Sequence, residues 1–432
     1  MTADFRNPSK PLTALVIGIF AVVVVILTAR AASRINQPGV RYPEVDSDAW
    51  ALRDFRDAIY YPVRAFLDGV SPYHAEEYVD KYPVGQDFPL YSPLTLIVHL
   101  PFGWMPFEIS QWVYFGMTIA LTVALAWSIL FVCRLPNPTA NVFLLATAIL
   151  LSRPGHMNLL LGQTTIPLVL CSLWALYFAD RYRPWLSGFC VALATLKPTY
   201  GVVLIALMYA MRMRRSPTRG ILITAVTTIP LVVWVIWMQG GLDESLKIWR
   251  ENVQMFNTNP GRDPSHSFSR IDIIALWARW NQIAPDKNYE LVATCLMLGA
   301  SCLFLYCLNP LKMYWQTLGP KRVFALLVML IAVYHHAYDA LLLFPIFIAA
   351  AFGRDTFWQR WFQPARWAWC GLIAIPLVNY VATNSVIDKW KISGLAWTIL
   401  TNINGAVLLA ATLVLLFAML RENQRRYVAS EA

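Results

Sequence analysis

Residues 159–184 read LLLGQTTIPLVLCSLWALYFADRYRP. The apolar run at 158–179 is long enough to cross a bilayer, for which about 20 residues suffice. Past Asn158 at its start it carries a single amide, Gln163, and it closes on the basic loop DRYRP at 180–184. A surface helix of a soluble protein would alternate an apolar stripe with a charged face, and this run has no charged face. An apolar run ended by a short basic loop reads as a transmembrane helix whose end lies in the cytoplasm.

The rest of the chain agrees. Of its 432 residues, 58% are hydrophobic and 14% charged, whereas soluble domains carry roughly 25% charged residues. The mean hydropathy is +0.49. Too few polar residues remain to solvate the surface of a soluble protein of this size. The expected class is an all-α polytopic integral membrane protein, one membrane-embedded domain over 1–432 rather than two or three soluble units. The net charge of +10 comes from Lys and Arg in short loops, so it argues for membrane topology and against nucleic acid. None of the seven cysteines falls in a CxxC or zinc-finger spacing, and they read as small buried apolar side chains.

Further candidate spans are 12–30, 111–133, 219–238, 289–308, 367–383 and 396–420. Shorter or interrupted runs lie at 93–107, 140–152, 185–196, 200–211, 322–334 and 338–352. The first run is too long for a signal-peptide core and reads as an uncleaved helix. Together they give about twelve crossings. The basic loops 211–219, 309–322, 353–366 and 421–426 belong in the cytoplasm, as does the start with Arg6 and Lys10. The first outer loop then spans 31–92 and the second large one 239–288, with 381–395 also outside. Two arrangements of the middle remain open. Either 93–107 is re-entrant and 185–211 a broken hairpin, or 93–107 crosses and 185–211 is one kinked span; DRYRP prefers the first. Within the first outer loop, Phe55, Ile59, Val63 and Phe66 recur at helical spacing, which predicts an interfacial helix over 48–67.

Polar groups inside apolar runs are costly and are candidate functional residues. Gln163 is one: a link between helices, or an amide lining a site. Lys197 precedes Pro198 deep in an apolar stretch, where a weakened helix could present an ammonium to a phosphate; the alternative is a snorkelling side chain. In YHHAYDALLLFP, His335, His336 and Asp339 separate two runs whose far ends are basic. That parity places them on the outer side with Asp54 and Asp57 of DFRDAIYY. His336 and Asp339, three apart, could share a helix face. A metal site is weakly supported, because no third ligand set accompanies them. His156 with Arg153, and His266 with Arg270, read as structural. With no nucleotide fingerprint, GxSxG or HExxH, this face suits transfer from a lipid-linked phosphosugar. A cation or imidazole would meet the phosphate and a carboxylate would act as base.

The ordered blocks DFRDAIYYPVRAFLDGVSPY, FPLYSPLTLIVHLPFGWMP, LLLGQTTIPLVLCSLWAL, LSGFCVALATLKPTYGVVLIAL and HHAYDALLLFP, from about 50 to 350, resemble glycosyltransferase family 87. The resemblance implies a GT-C type fold in the cell (inner) membrane with its site on the extracytoplasmic side. It implies inverting transfer of a hexose, chiefly mannose, from a polyprenyl-phosphate sugar to a glycolipid or glycan acceptor, without metal or other cofactor. It places the base on Asp54 or Asp57, beside Tyr60, Tyr61 and Arg64. His335 or His336 would lie near the donor phosphate with Gln163, Lys197 and Asp339. The competing classes are a transporter or flippase, which would show matching broken helices in two halves, and a ligase using a lipid diphosphate.

Overall fold

The computed structural model describes residues 9–35, 51–85, 88, 91–258, 262–308 and 318–431. Arg6, residues 36–50 of the first outer loop and residues 309–317 of the basic loop 309–322 lie outside the described residues. Fifteen helices carry the architecture: α1 (Lys10–Ile35), α2 (Phe107–Val132), α3 (Thr139–Leu151), α4 (Arg153–Leu161), α5 (Thr165–Asp180), α6 (Pro184–Ala194), α7 (Pro198–Ala210), α8 (Arg215–Met238), α9 (Leu242–Thr258), α10 (Ile273–Asn281), α11 (Lys287–Cys307), α12 (Pro320–Ala332), α13 (Leu343–Phe352), α14 (Gln363–Val378) and α15 (Gly394–Glu431). Among the described residues there is no strand, only an isolated bridge between Arg270 and His336. Five helices are long and apolar enough to cross a membrane, and a sixth span results if α3 and α4, bent by 76°, count as one. The chain is a multi-pass membrane protein.

The core sits at α12. Every residue from Val323 to Ala332 is buried, and burial continues from Ala337 through Ile346 with Tyr338 as the exception. A helix apolar all round belongs in the middle of a bundle. By contrast, α8 and α11 keep their aliphatic side chains outward, as lipid-facing helices must.

Three breaks interrupt the spans; the first departs from the uniform span that the sequence suggests, and the other two fall in runs read there as short or interrupted. The span expected at 158–179 is two helices, α4 and α5, interrupted at Gly162, where φ is +73°. A Cβ there would stand 2.6 Å from the Cβ of Phe55, so the break needs glycine both for its backbone and for its contact. The stretch 185–211 is likewise two helices, parted at Lys197, which is extended (φ −112°, ψ 110°). Pro198 pushes its predecessor out of the helical region. Residues 93–107 form only the short helices Leu94–Val98 and Leu100–Gly103.

The first outer loop runs as Arg53–Phe55, a π-helical turn Arg56–Tyr60, and Tyr61–Leu67. Its apolar stripe meets protein: Phe55, Ile59 and Val63 are buried, and Phe66 packs edge-on to Trp234 of α8.

Loops that the sequence assigns to one side also touch one another. Asp180 pairs with Arg322, Arg212 donates to the Tyr306 carbonyl (3.2 Å), and Lys321 donates to Leu308 (3.1 Å). On the other side, Gln239 reaches Ser71 (3.0 Å) and Asn252 reaches the Tyr73 carbonyl (2.5 Å).

Gly162→Ala should lower the thermal midpoint in detergent by the equivalent of about 1–3 kcal/mol, the cost of a strained backbone plus a displaced neighbour. Gly116→Ala in α2, where an added Cβ meets nothing within 4 Å, should leave it unchanged. Equal midpoints for the two variants would show that the Phe55 contact does not matter.

Candidate active site

The site grows from the break between α4 and α5. Leu52 ties the first outer loop to the end of α4 through its N–H to the Leu160 carbonyl (2.6 Å). Phe55 then wedges against Tyr114, with ring centroids 4.5 Å apart, and against Phe102 at 5.9 Å. This fixes Asp54, half-buried, opposite the side-chain amide of Gln163, which donates to its carboxylate. The Gln163 backbone is held in turn by the Tyr114 hydroxyl (3.2 Å).

Two residues further on, Thr165 Oγ1 donates to Asp339 Oδ1 at 3.1 Å. Asp339 is fully buried. It accepts from Lys197 Nζ on both oxygens, each at 2.8 Å. It also accepts from Tyr200 Oη (3.1 Å) and from the His336 backbone N–H (3.1 Å). Lys197 lies 5.0 Å from the centre of the Tyr338 ring. Gln163 and Thr165 thus bring two carboxylates, Asp54 and Asp339, to one locus. The burial of Tyr91 raises its phenol, and the charges of Asp54 and Asp339 act on it in the same direction.

The histidine turn differs from the shared helix face that the spacing suggests. Val333 and His336 are extended (ψ 163° and 168°), and side chains alternate there. Tyr334 and His336 keep a small exposed fraction, whereas His335 is fully buried. A 3-10 helix, Ala337–Leu342, then brings Asp339 back to cap the His336 N–H. The His336 ring engages Ser269 Oγ through Nδ1 (2.6 Å) and the Tyr334 hydroxyl through Nε2. His335 faces inward, its Nδ1 3.3 Å from the Val333 carbonyl and its ring edge-on to Tyr200 at 5.1 Å.

The remaining expected residues fall elsewhere. Asp57 is buried, with Arg56 at 2.7 and 3.3 Å and the Gly85 N–H at 3.3 Å. Burial raises its carboxyl above the ordinary range although Arg56 pulls the other way. Asp54 and Asp57 therefore do not share one side as their spacing suggests. Tyr60 donates to the Met105 carbonyl (3.1 Å), Tyr61 stacks on Phe107, and Arg64 pairs outward with Asp68 (3.2 Å). His156 packs against Tyr380, and His266 lies at the surface beside Asp263. Arg153 bonds the Ala382 carbonyl, and Arg270 grips Asp272 with two bonds of 2.9 Å. No group of three His, Cys, Asp or Glu able to hold a metal occurs among the described residues.

Sequence reasoning missed Thr165, Tyr200, Ser269, Tyr334, Tyr338 and Tyr91. Their only signal was position: each sits within three residues of a polar residue already singled out, except Tyr91.

A multi-pass helical bundle with carboxylates, imidazole and phenols gathered at helix breaks defines the class, a membrane enzyme. The family model of glycosyltransferase family 87 matches residues 90–345, more than half of the chain. The protein belongs to that family and is a membrane glycosyltransferase, acting on a sugar donor and an acceptor in a lipid bilayer. Asp54 lies upstream of the matched region. No curated protein and no solved structure matches the chain.

Lys197→Met should destabilise the protein by about 3–5 kcal/mol, because it strands the Asp339 carboxylate in the core. The double variant Lys197→Met/Asp339→Asn should recover much of that loss. Thermal unfolding in detergent checks both, and additive losses in the double variant would count against the pair.

Proposed function

We propose that the protein transfers a hexose, most simply mannose, from a polyprenyl-phosphate sugar to a glycolipid or glycan acceptor, with Asp54 as general base. One observation carries the reading. Asp54 is only half-buried and is oriented by Gln163, two residues before the Thr165 that reaches the Asp339–Lys197 pair, whereas Asp57 is sealed among Arg56 and Gly85. A base needs access to the acceptor hydroxyl.

In this mechanism the acceptor hydroxyl gives its proton to Asp54 as its oxygen attacks the anomeric carbon. The bond from that carbon to the phosphate oxygen breaks, configuration inverts, and polyprenyl phosphate leaves with the bonding electron pair. Hydrogen-bond donors of the His336 turn meet the charge that develops on the departing phosphate. Lys197 contributes as part of a neutral pair with Asp339, and the pair shapes the wall rather than adding a net positive charge. His335 supports the turn from behind. The chain threads the inner membrane in about twelve crossings, with the site on the extracytoplasmic side and the first outer loop lying near the interface. The sidedness of the loop contacts supports that topology.

In membranes supplied with undecaprenyl-phosphate mannose and native lipid acceptors, Asp54→Asn should reduce transfer by about 10²–10⁴-fold, the usual contribution of a positioned base. Insertion and the thermal midpoint should remain intact. Asp57→Asn should instead lower the amount of folded protein and leave the rate per folded molecule within a few-fold. Full transfer by Asp54→Asn would defeat the mechanism.

A further inference from the structure

The second outer loop does more than cover the bundle. Its segment Ser269–Ile271 lies antiparallel against the histidine turn: Ala337 donates to the Ser269 carbonyl (2.7 Å) and Ile271 to the His335 carbonyl (3.0 Å). The segment is locked in place by buried arginines. Arg270 holds Asp272 with two bonds of 2.9 Å and lies 4.9 Å from the centre of the Tyr334 ring. Arg279 spans from the Ser267 carbonyl to Asn402 of α15, the latter at 3.0 Å. An isolated loop would need none of this; the arrangement gives one side chain, Ser269, a fixed place 2.6 Å from His336 Nδ1.

We propose that Ser269 is a positioning residue that sets the tautomer of His336, through a hydrogen-bonded chain Ser269–His336–Tyr334 aimed at the departing phosphate. The inference rests on the proposed function above. In this arrangement the Ser269 hydroxyl, 2.6 Å from Nδ1, acts as donor to it, and the single ring proton of the neutral imidazole resides on Nε2. That N–H is donated to the Tyr334 oxygen. The Tyr334 hydroxyl, its oxygen serving as acceptor, is left to point its own proton at the phosphate. A neutral donor is what remains to this locus, because Lys197 is held by both oxygens of Asp339 and Arg270 by both oxygens of Asp272. The reverse tautomer would put the proton on Nδ1, toward Ser269, and Nε2 would accept the Tyr334 proton, leaving that hydroxyl no proton for the phosphate. The partner of one ring nitrogen decides what the other can do.

Two measurements test this. The chain has six histidines, so nitrogen-15 NMR of ring-labelled protein, assigned with His336→Gln, can read the tautomer without any donor or acceptor. The Nε2–H form is expected in the wild type, and a mixed or reversed form in Ser269→Ala. A wild-type Nδ1–H form overturns the inference. In the transfer assay, Ser269→Ala should lower kcat about tenfold, as for loss of one hydrogen bond to a functional group, with the donor KM within twofold. Ser269→Thr should restore most of the rate. If Ser269→Ala keeps the wild-type kcat while Asp54→Asn is inactive, the inference fails alone. If Ser269→Thr is as impaired as Ser269→Ala, the role is one of loop structure and the inference also fails. If Asp54→Asn is fully active, the functional reading falls and takes this inference with it.

Discussion

A carboxylate buried in an apolar helical bundle must be fully compensated or it will not stay ionised there. Asp339 meets that requirement with an ammonium on both oxygens, two hydroxyls and a backbone N–H. The donors come from different parts of the chain: Thr165 from the start of α5, Lys197 and Tyr200 from the start of α7, and His336 from the turn itself. Satisfying one charge therefore fixes the relative placement of three chain breaks. Hydrophobic packing alone would not do so, because lipid tails are as apolar as the helix faces and helices can slide against one another at little cost.

From that anchor the order propagates through GQTT, residues 162–165. Gly162 lets the first outer loop approach closely enough for Phe55 to seat. Gln163 orients Asp54, and Thr165 reaches Asp339. Asp54, which lies in a loop more than a hundred residues upstream, is thereby placed against a site otherwise built from the middle and late parts of the chain. Holding a side chain on a loop is costly in precision, because loops move. Here the loop is pinned by a 2.6 Å backbone bond at Leu52 and an aromatic cluster around Phe55, so the position is as defined as one on a helix.

Much of this was legible in the sequence. The apolar runs and basic loops gave the class and nearly every helix, because hydropathy and charge bias act locally and are written residue by residue. The polar residues stranded in apolar runs, Gln163, Lys197 and Asp339, converge as their cost suggested. The partners were not legible. Nothing in the order of residues says that Lys197 meets Asp339, 142 positions later, or that the serine in PSHSFSR holds a histidine 67 positions on. The period was also misjudged at the turn. Residues 333–336 are extended, so His335 and His336 point opposite ways, a distinction that a helical reading cannot make. Asp54 and Asp57 looked equivalent for the same reason. Three apart on a regular helix they would share a side, but a π-helical turn begins at Arg56 and carries Asp57 inward.

The polar residues assembled here share a local setting. Asp54 follows Leu52, a left-handed residue at φ 57°; Gln163 follows the left-handed Gly162; Lys197 caps a helix ahead of a proline; His336 sits in an extended link. Within a continuous helix the backbone is saturated with its own hydrogen bonds, and side chains radiate toward neighbouring helices or lipid. At a break the backbone turns aside, and a polar side chain can project along the bundle axis toward other breaks at the same depth. Breaks that meet in this way gather polar side chains without opening a helix in contact with lipid. A glycosyl transfer in a bilayer needs such a place: polar enough for a sugar donor and an acceptor, walled by helices that remain apolar outside. The proline after Lys197, the glycine before Gln163 and the extended histidine link are thus the structural means by which an apolar chain holds ionic chemistry.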